Sequence, residues 1–341
     1  MNIKKLISDL SAIHGVSGDE SCVVSYITEI IKKQTSLQCI NNGNNLVVNI
    51  GRREENKKHV LIDAHIDEIG MIVSYIDEEG FVIPSNIGGM DYRILPAQRV
   101  MIHGTKDIPG VISTVPPHLT DGKNIIDSME HVRIDTGYSE EELKQYIYPG
   151  CTVSFDVPFR ELSETCVTGK SMDNRISAAV LTELASVLSK EELNCSVSLL
   201  YSASEEIGQR GAKTACFEIN PDIAIAVDTS FALTSDEDKK HCGNMTEGPM
   251  IGISPTLSRE ISDLLIAAAQ NSKTPYQLEV MSGMTGTNAD QFSVSGCGVK
   301  TCTCSIPIKY MHTPVETVDL TDAENTVRLL AEFIRMVKYN A

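Results

Sequence analysis

His59-Val60-Leu61-Ile62-Asp63-Ala64-His65-Ile66-Asp67 is the stretch on which the fold turns. A short run dominated by apolar and β-branched residues, with no polar alternation, reads as a strand covered on both faces. It runs without a break into an imidazole and a carboxylate two positions apart. A strand that ends this way delivers those groups to the carboxyl edge of an open α/β sheet, the edge where ligands bind. Side chains two apart can share one face, so Asp67 can hold the second ring N–H of His65 and fix its tautomer.

Runs of the same kind recur at 46–50, 197–203, 222–227, 250–254 and 301–308. Amphipathic helices lie between them. Apolar residues at 3, 6, 7, 10 and 13 carry helical spacing, which reads as a structural helix and not a signal peptide. Ser17-Gly18-Asp19-Glu20 has the form of a capping box ahead of Val23, Ile27, Ile30 and Ile31. A third helix is expected from about Asn174 to Leu188, and a fourth through Leu257, Ile261, Leu264, Leu265 and Ala268. Thr321-x-x-Glu324 is expected to cap the last, with Val327, Leu330, Ala331 and Ile334 inward. The fold class is therefore α/β, a mixed and mostly parallel sheet with helices on both faces. Between 69 and 164 the pattern changes to short strands broken by Gly and Pro, with one helical piece near Glu140–Tyr146. That stretch reads as an inserted barrel-like β domain, dividing an α/β domain into residues 1–68 and 165–341.

Composition sets outer limits. The 341 residues carry 29 Lys+Arg against 46 Asp+Glu, a net charge of −17. Such a surface repels a nucleic-acid backbone or an anionic membrane, so neither is expected as a partner. No apolar run is long enough to span a bilayer, and a cytoplasmic enzyme is the expectation. The 10 cysteines include no C-x-x-C; Cys302-Thr303-Cys304 is the nearest to a metal pair, and buried free thiols are the expected state. The charged run Ser235–Lys240 reads as a solvated loop.

Metal-type side chains collect where the strands end. Besides His65 these are Glu205 and Glu206 after 197–203, Asp228 after 222–227, and His312 after 301–308. Asp173 joins them at the start of a helix. Singly, Asp173 is an N-cap candidate, the two glutamates a favourable first helical turn and Asp228 a turn residue. Together on one rim, carboxylates and imidazoles suit borderline divalent metals such as zinc or cobalt. Charge favours two ions. Three carboxylates (Asp173, Glu206, Asp228) and one hydroxide balance two divalent cations, whereas a single cation leaves costly buried negative charge. Glu205 is then left over, as a general base should be.

The motifs Ala64–Gly70, Gly169–Arg175, Ser204–Gly208, Val227–Thr229 and Tyr310–Glu316 resemble, in order, those of the M42 dinuclear metalloaminopeptidases. That family includes glutamyl aminopeptidases and the tetrahedral TET enzymes, and some members are labelled endoglucanases. The resemblance implies one metal on His65, Asp173 and Asp228 and a second on Asp173, Glu206 and His312. It also implies Glu205 as base, Asp67 as support for His65, and the β insertion as a dimerisation domain. Short peptides would be the substrates, and dimers would assemble to a dodecamer. One departure is Asn288 in Thr285–Asp290, a substrate-side loop where the family more often has Asp.

A metal-dependent deacylase or amidase is the alternative on the same framework. A glycosidase needs two free carboxylates flanking the bond, and here they are committed to metal. A non-catalytic assembly protein with a vestigial site predicts a missing ligand, and the set is complete. No Walker loop, G-x-G-x-x-G, H-E-x-x-H or G-x-S-x-G is present.

Overall fold

The computed structural model describes residues 2–115, 117–119, 128–235 and 242–338. The first strands are β1 (Gln38–Asn42), β2 (Asn45–Ile50) and β3 (His59–His65). They are followed by β4 (Gly70–Ile76), β5 (Val82–Ile87), β6 (Arg99–His103), β7 (Asp107–Ile112), β8 (Ile134–Asp135) and β9 (Thr152–Phe155). Next come β10 (Arg160–Glu161), β11 (Cys166–Gly169), β12 (Ser196–Ser202) and β13 (Ile223–Phe231). The last are β14 (Met250–Ile253), β15 (Gln277–Val280), β16 (Lys300–Lys309) and β17 (Glu316–Asp319). The helices are α1 (Ile3–Ala12), α2 (Ser21–Gln34), α3 (Glu140–Leu143) and α4 (Met172–Leu188). Four more follow: α5 (Arg210–Ile219), α6 (Arg259–Ser272), α7 (Ala289–Ser293) and α8 (Leu320–Met336).

The main sheet runs β1-β2-β12-β3-β13-β16-β17-β11-β10, with β14 and β15 branching from β16. Its centre, β12-β3-β13-β16, is parallel, and its flanks are antiparallel. Burial explains the apolar runs. Val60, Ile62 and Ala64 face α1, α2, α4, α6 and α8, whereas Leu61, Leu200 and Ala224 face α5 and α7. Each valine, leucine or isoleucine among them contributes about 1.5–3 kcal/mol by leaving water. Between β3 and β11 in the chain lies a closed antiparallel barrel, β4-β5-β8-β7-β6-β9. Alternation along β7 buries Ile108, Gly110 and Ile112 and exposes the residues between them. Met71, Val100, Ile102 and Val153 form a separate core inside it.

Both expected capping patterns turn out to serve other purposes. Glu20, not Ser17, precedes α2 and makes no side-chain cap. Ser17 instead donates its hydroxyl to Asp67 Oδ2 at 2.6 Å. The last helix is capped by Asp319, which accepts the Thr321 N–H at 2.9 Å, so α8 starts one residue before Thr321. A complete capping box does occur, between Ser139 and Glu142 on α3. Helical dihedrals in α4 begin only after Asp173 and Asn174.

All ten cysteines are free. Cys302 and Cys304 lie inside the main core, and burial pushes Cys302 up to about 11 and Cys304 higher. That is the reverse of the thiolate character a metal needs. Of the charged run at 235–240, residues 236–240 lie outside the described residues. No helix among the described residues is long and apolar enough to cross a membrane.

His59, at the start of β3, is buried between two hydroxyls, Ser196 Oγ at 2.7 Å and Ser198 Oγ at 3.1 Å. The Ser198 hydroxyl donates to Asn49 Oδ1, so its oxygen accepts from His59 Nε2 and the neutral ring is fully bonded. Burial, with the nearby Arg53 charge, lowers its pKa to about 4. A lowered histidine pKa means the unfolded chain binds the proton more tightly, so stability is complete above about pH 6.5 and lost as pH falls toward 4. Urea unfolding across that window should therefore show His59→Gln losing less stability per pH unit than wild type, by up to about 1.4 kcal/mol. Equal slopes would refute the assignment.

Candidate metal centre

β3 carries His65 to the sheet edge, and the ring is 2% exposed. Its Nδ1 lies 3.2 Å from the backbone carbonyl of Asp67 and 3.5 Å from the Asp67 carboxylate. A carbonyl only accepts, so Nδ1 carries the proton and Nε2 faces inward. Nε2 sits 3.1 Å from Asp173 Oδ1 and 3.5 Å from Asp228 Oδ1. On the other side, His312 Nε2 lies 3.3 Å from Glu206 Oε1 and 3.6 Å from Asp173 Oδ2. Asp173 thus turns one oxygen to each imidazole.

Three elements hold the remaining side chains. Asp228 lies within β13, not after it, directly beside Ser305 of β16 in the parallel ladder. Glu205 and Glu206 follow β12 in a turn whose first residue, Ser204, has a φ of 58°. Tyr310 and His312, beyond β16, have φ values of 60° and 58°. Left-handed conformations at non-glycine residues cost energy and gather where a site over-determines the backbone.

Two buried carboxylates pin these turns. Asp67 accepts the N–H groups of Glu205 at 2.9 Å and Glu206 at 3.1 Å, besides the Ser17 hydroxyl. Glu316 accepts the N–H of His312 at 2.8 Å and of Asp173 at 3.0 Å. Behind them, Lys170 donates to both Glu68 oxygens at 2.7 and 2.8 Å. Arg175, fully buried, donates to the carbonyls of Ile66, Leu10 and Ile13. The sequence pattern gives Ser17 a helix-cap role instead of this one, and gives Glu316, Lys170 and Arg175 no role beyond their place in the motifs.

The electrostatics are those of an anionic cluster in need of positive charge. Burial pushes Glu206 and Asp228 up, and their imidazole hydrogen bonds offset it only partly. Burial together with Asp228, Glu206 and Asp173 takes Glu205 to about 8, against the pull of His65. The imidazoles respond in kind. Burial alone would lower both, yet the carboxylates carry His312 to about 9 and His65 well above its usual value. Apart from His312 Nε2 at 3.3 Å, the buried Glu206 Oε1 meets no donor among the described residues.

Such a donor set fits divalent metal. The ligand atoms of His65, Asp173 and Asp228 fall within 4.8 Å of one another, and so do those of Asp173, Glu206 and His312. A third overlapping group joins His65, Glu205 and Glu206. The cluster opens into a cavity of about 450 Å³ whose wall includes Gln209, Phe231, Thr285 and Met311. Gly89, just beyond β5 of the barrel, closes one side; a Cβ there would stand 3.2 Å from His312 Nδ1.

The structure thus brings His65, Asp173, Glu205, Glu206, Asp228 and His312 together, with Asp67 behind them. Asn288 is different. It is 1% exposed, outside the cavity wall, and its amide donates to Asp63 Oδ2 at 2.7 Å and Ser202 Oγ at 2.9 Å. The departure at this position falls in the packing beneath His65, while Thr285, Gly286 and Thr287 line the cavity.

Residues 43–329 match the family described as M42 glutamyl aminopeptidase. The chain belongs to that family. Within the M42 family it is 34% identical to a putative aminopeptidase of Acetivibrio thermocellus, over 96% of this chain and 97% of that one. It is 30% identical to a lysyl aminopeptidase of Pyrococcus furiosus, covering 95% and 94%. The solved TET1 peptidase of Pyrococcus horikoshii, described as assembling into a tetrahedron or a large octahedral shell, superposes with a TM-score of 0.88 at 28% identity, covering 98% and 100%. As an M42 member, the protein is a peptidase, a hydrolase.

Glu316 offers a test of the clamp. Glu316→Gln replaces one acceptor with a donor facing a buried N–H, which should cost about 1–3 kcal/mol in urea unfolding. It should also weaken zinc binding about 10–100-fold by calorimetric titration. Wild-type values in both would refute the role.

Proposed function

We propose that this chain is a dinuclear metal-dependent aminopeptidase that removes the first residue from short peptides. The observation that carries the reading is the orientation of Asp173, one oxygen toward the His65–Asp228 side and the other toward the Glu206–His312 side. His65, Asp173 and Asp228 would hold one ion, and Asp173, Glu206 and His312 the other, with zinc or cobalt the best match to these donors. Bound there, two divalent ions supply Lewis-acid polarisation of the scissile carbonyl and a water made acidic enough to attack at neutral pH.

Glu205 belongs to neither of the two groups that share Asp173. Its carboxylate takes the proton of the attacking water and returns it to the leaving amine. Asp67 positions it by accepting its N–H and that of Glu206, which keeps the base and its neighbouring ligand in separate directions. Gly89 lets the barrel wall approach His312 closely.

Residues 1–68 and 165–341 form the catalytic domain in this reading, and 69–164 an inserted dimerisation domain that builds dimers toward a dodecamer. The shells described for the TET1 peptidase support that assembly. Ten free thiols suit a reducing, cytoplasmic setting.

Glu205→Gln should retain two metals per chain by elemental analysis and lower turnover of aminoacyl-coumarins about 10²–10⁴-fold. Near-normal turnover would overturn the assignment. Chelation should abolish activity and added zinc or cobalt restore it, whereas chelator-resistant hydrolysis would remove the metals from the reaction. Turnover of N-acetylated substrates in preference to free amines would replace the aminopeptidase reading with a deacylase.

A further inference from the structure

A second cavity, of about 430 Å³, opens beside the metal centre. The two share Ser230, Phe231 and Thr285 as a common wall. Ser230 is two residues beyond Asp228 on β13, so both side chains leave the same face of that strand. The two spaces therefore adjoin along β13.

That space has a mixed lining, with Phe231, Met250, Leu278, Met281 and Met284 as its apolar part and Ser230, Gln277, Ser282 and Thr285 as its polar part. Phe231 and Met284 are 54% and 76% exposed, and so offer open apolar surface. Set among them is a carboxylate, Glu279 on β15, partly buried. Its Oε2 accepts the Ser305 hydroxyl at 2.8 Å and its Oε1 accepts the Ser230 hydroxyl. Glu279 has no ion pair among the described residues; burial, reinforced by Asp228, pushes its carboxyl up despite the two hydroxyls. A carboxylate in such surroundings is under-compensated, and a cation brought to it is favoured.

We propose that Glu279 is a specificity-determining residue that selects peptides whose first residue carries a cationic side chain, lysine or arginine. The inference rests on the aminopeptidase reading above. The methylene stem lies along Phe231 and Met284, and the charged head reaches Glu279. An acidic first residue brings a second negative charge to the same place. A neutral one of equal length covers Glu279 and leaves its charge without a partner, the situation in which a polar pocket rejects an analogue most strongly.

Norleucine has the stem of lysine without the ammonium group, so the comparison isolates the charge. With the metal-loaded protein, kcat/KM for lysyl-coumarin should exceed that for norleucyl-coumarin at least tenfold, and glutamyl-coumarin should be poorest. Glu279→Gln should reduce the lysyl-to-norleucyl ratio tenfold or more. As a readout independent of turnover, calorimetry should show lysinamide binding more tightly than norleucinamide to wild type, with the difference lost in Glu279→Gln. A wild-type ratio at or below one, or a ratio unchanged by the substitution, overturns the proposal and leaves the aminopeptidase reading intact. Absence of turnover on every aminoacyl-coumarin overturns the aminopeptidase reading itself.

Discussion

Mutual repulsion among carboxylates is the constraint that shapes this molecule. Asp173, Glu205, Glu206 and Asp228 are crowded around two imidazoles at one edge of a sheet, in surroundings where charge is poorly screened. Left to itself such a cluster would spread apart or take up protons. The structure holds it by fixing the backbone beneath each member. Asp67 and Glu316 each grip two N–H groups of ligand-bearing turns, and Glu68, Lys170 and Arg175 tie those turns to the first helix and its following loop. Charge that resists assembly is thus held largely by hydrogen bonds to the main chain. The main chain beneath each member is thereby fixed by bonds independent of the cluster's own charge.

The parts of this arrangement visible in the sequence were those expressed as local pattern. His65 and the glutamate pair stand out because apolar runs end on them, and a sheet edge collects whatever its strands deliver. Asp228 was visible for the same reason, although its strand continues past it. What stayed hidden depends on distant parts of the chain meeting. Ser17 reads as a helix cap because its three-residue spacing to Glu20 fits one, yet the fold turns its hydroxyl toward Asp67. Thr321 misled in the same way, since Asp319 two residues earlier already satisfies the helix end. Asn288 read as a substrate-side residue because its neighbours are, and only packing shows its side chain turned inward. The character of Glu279 emerges only when β13, β15 and β16 come together, since Ser230 and Ser305 bond it from separate strands.

The barrel enters this picture at two levels. Its core is separate from that of the main sheet, so it can be packed without reference to the metal centre. Its β5 end nevertheless supplies Gly89, where a side chain would press on His312. A glycine at the junction lets a separately packed unit serve as one wall of the site without dictating the position of a ligand.

The pairing of the barrel's first and last strands carries a further consequence. β4 and β9 lie side by side, Met71 opposite Val153 and Ile72 opposite Thr152. Once the barrel has closed, the long stretch of chain between His65 and Asp173 behaves as a short tether whose two ends are already neighbours. The entropy of bringing two metal-site residues together then falls on a few linking residues instead of on the whole insertion. With its ends adjoining, the barrel gathers the segments that carry His65 and Asp173 instead of holding them apart.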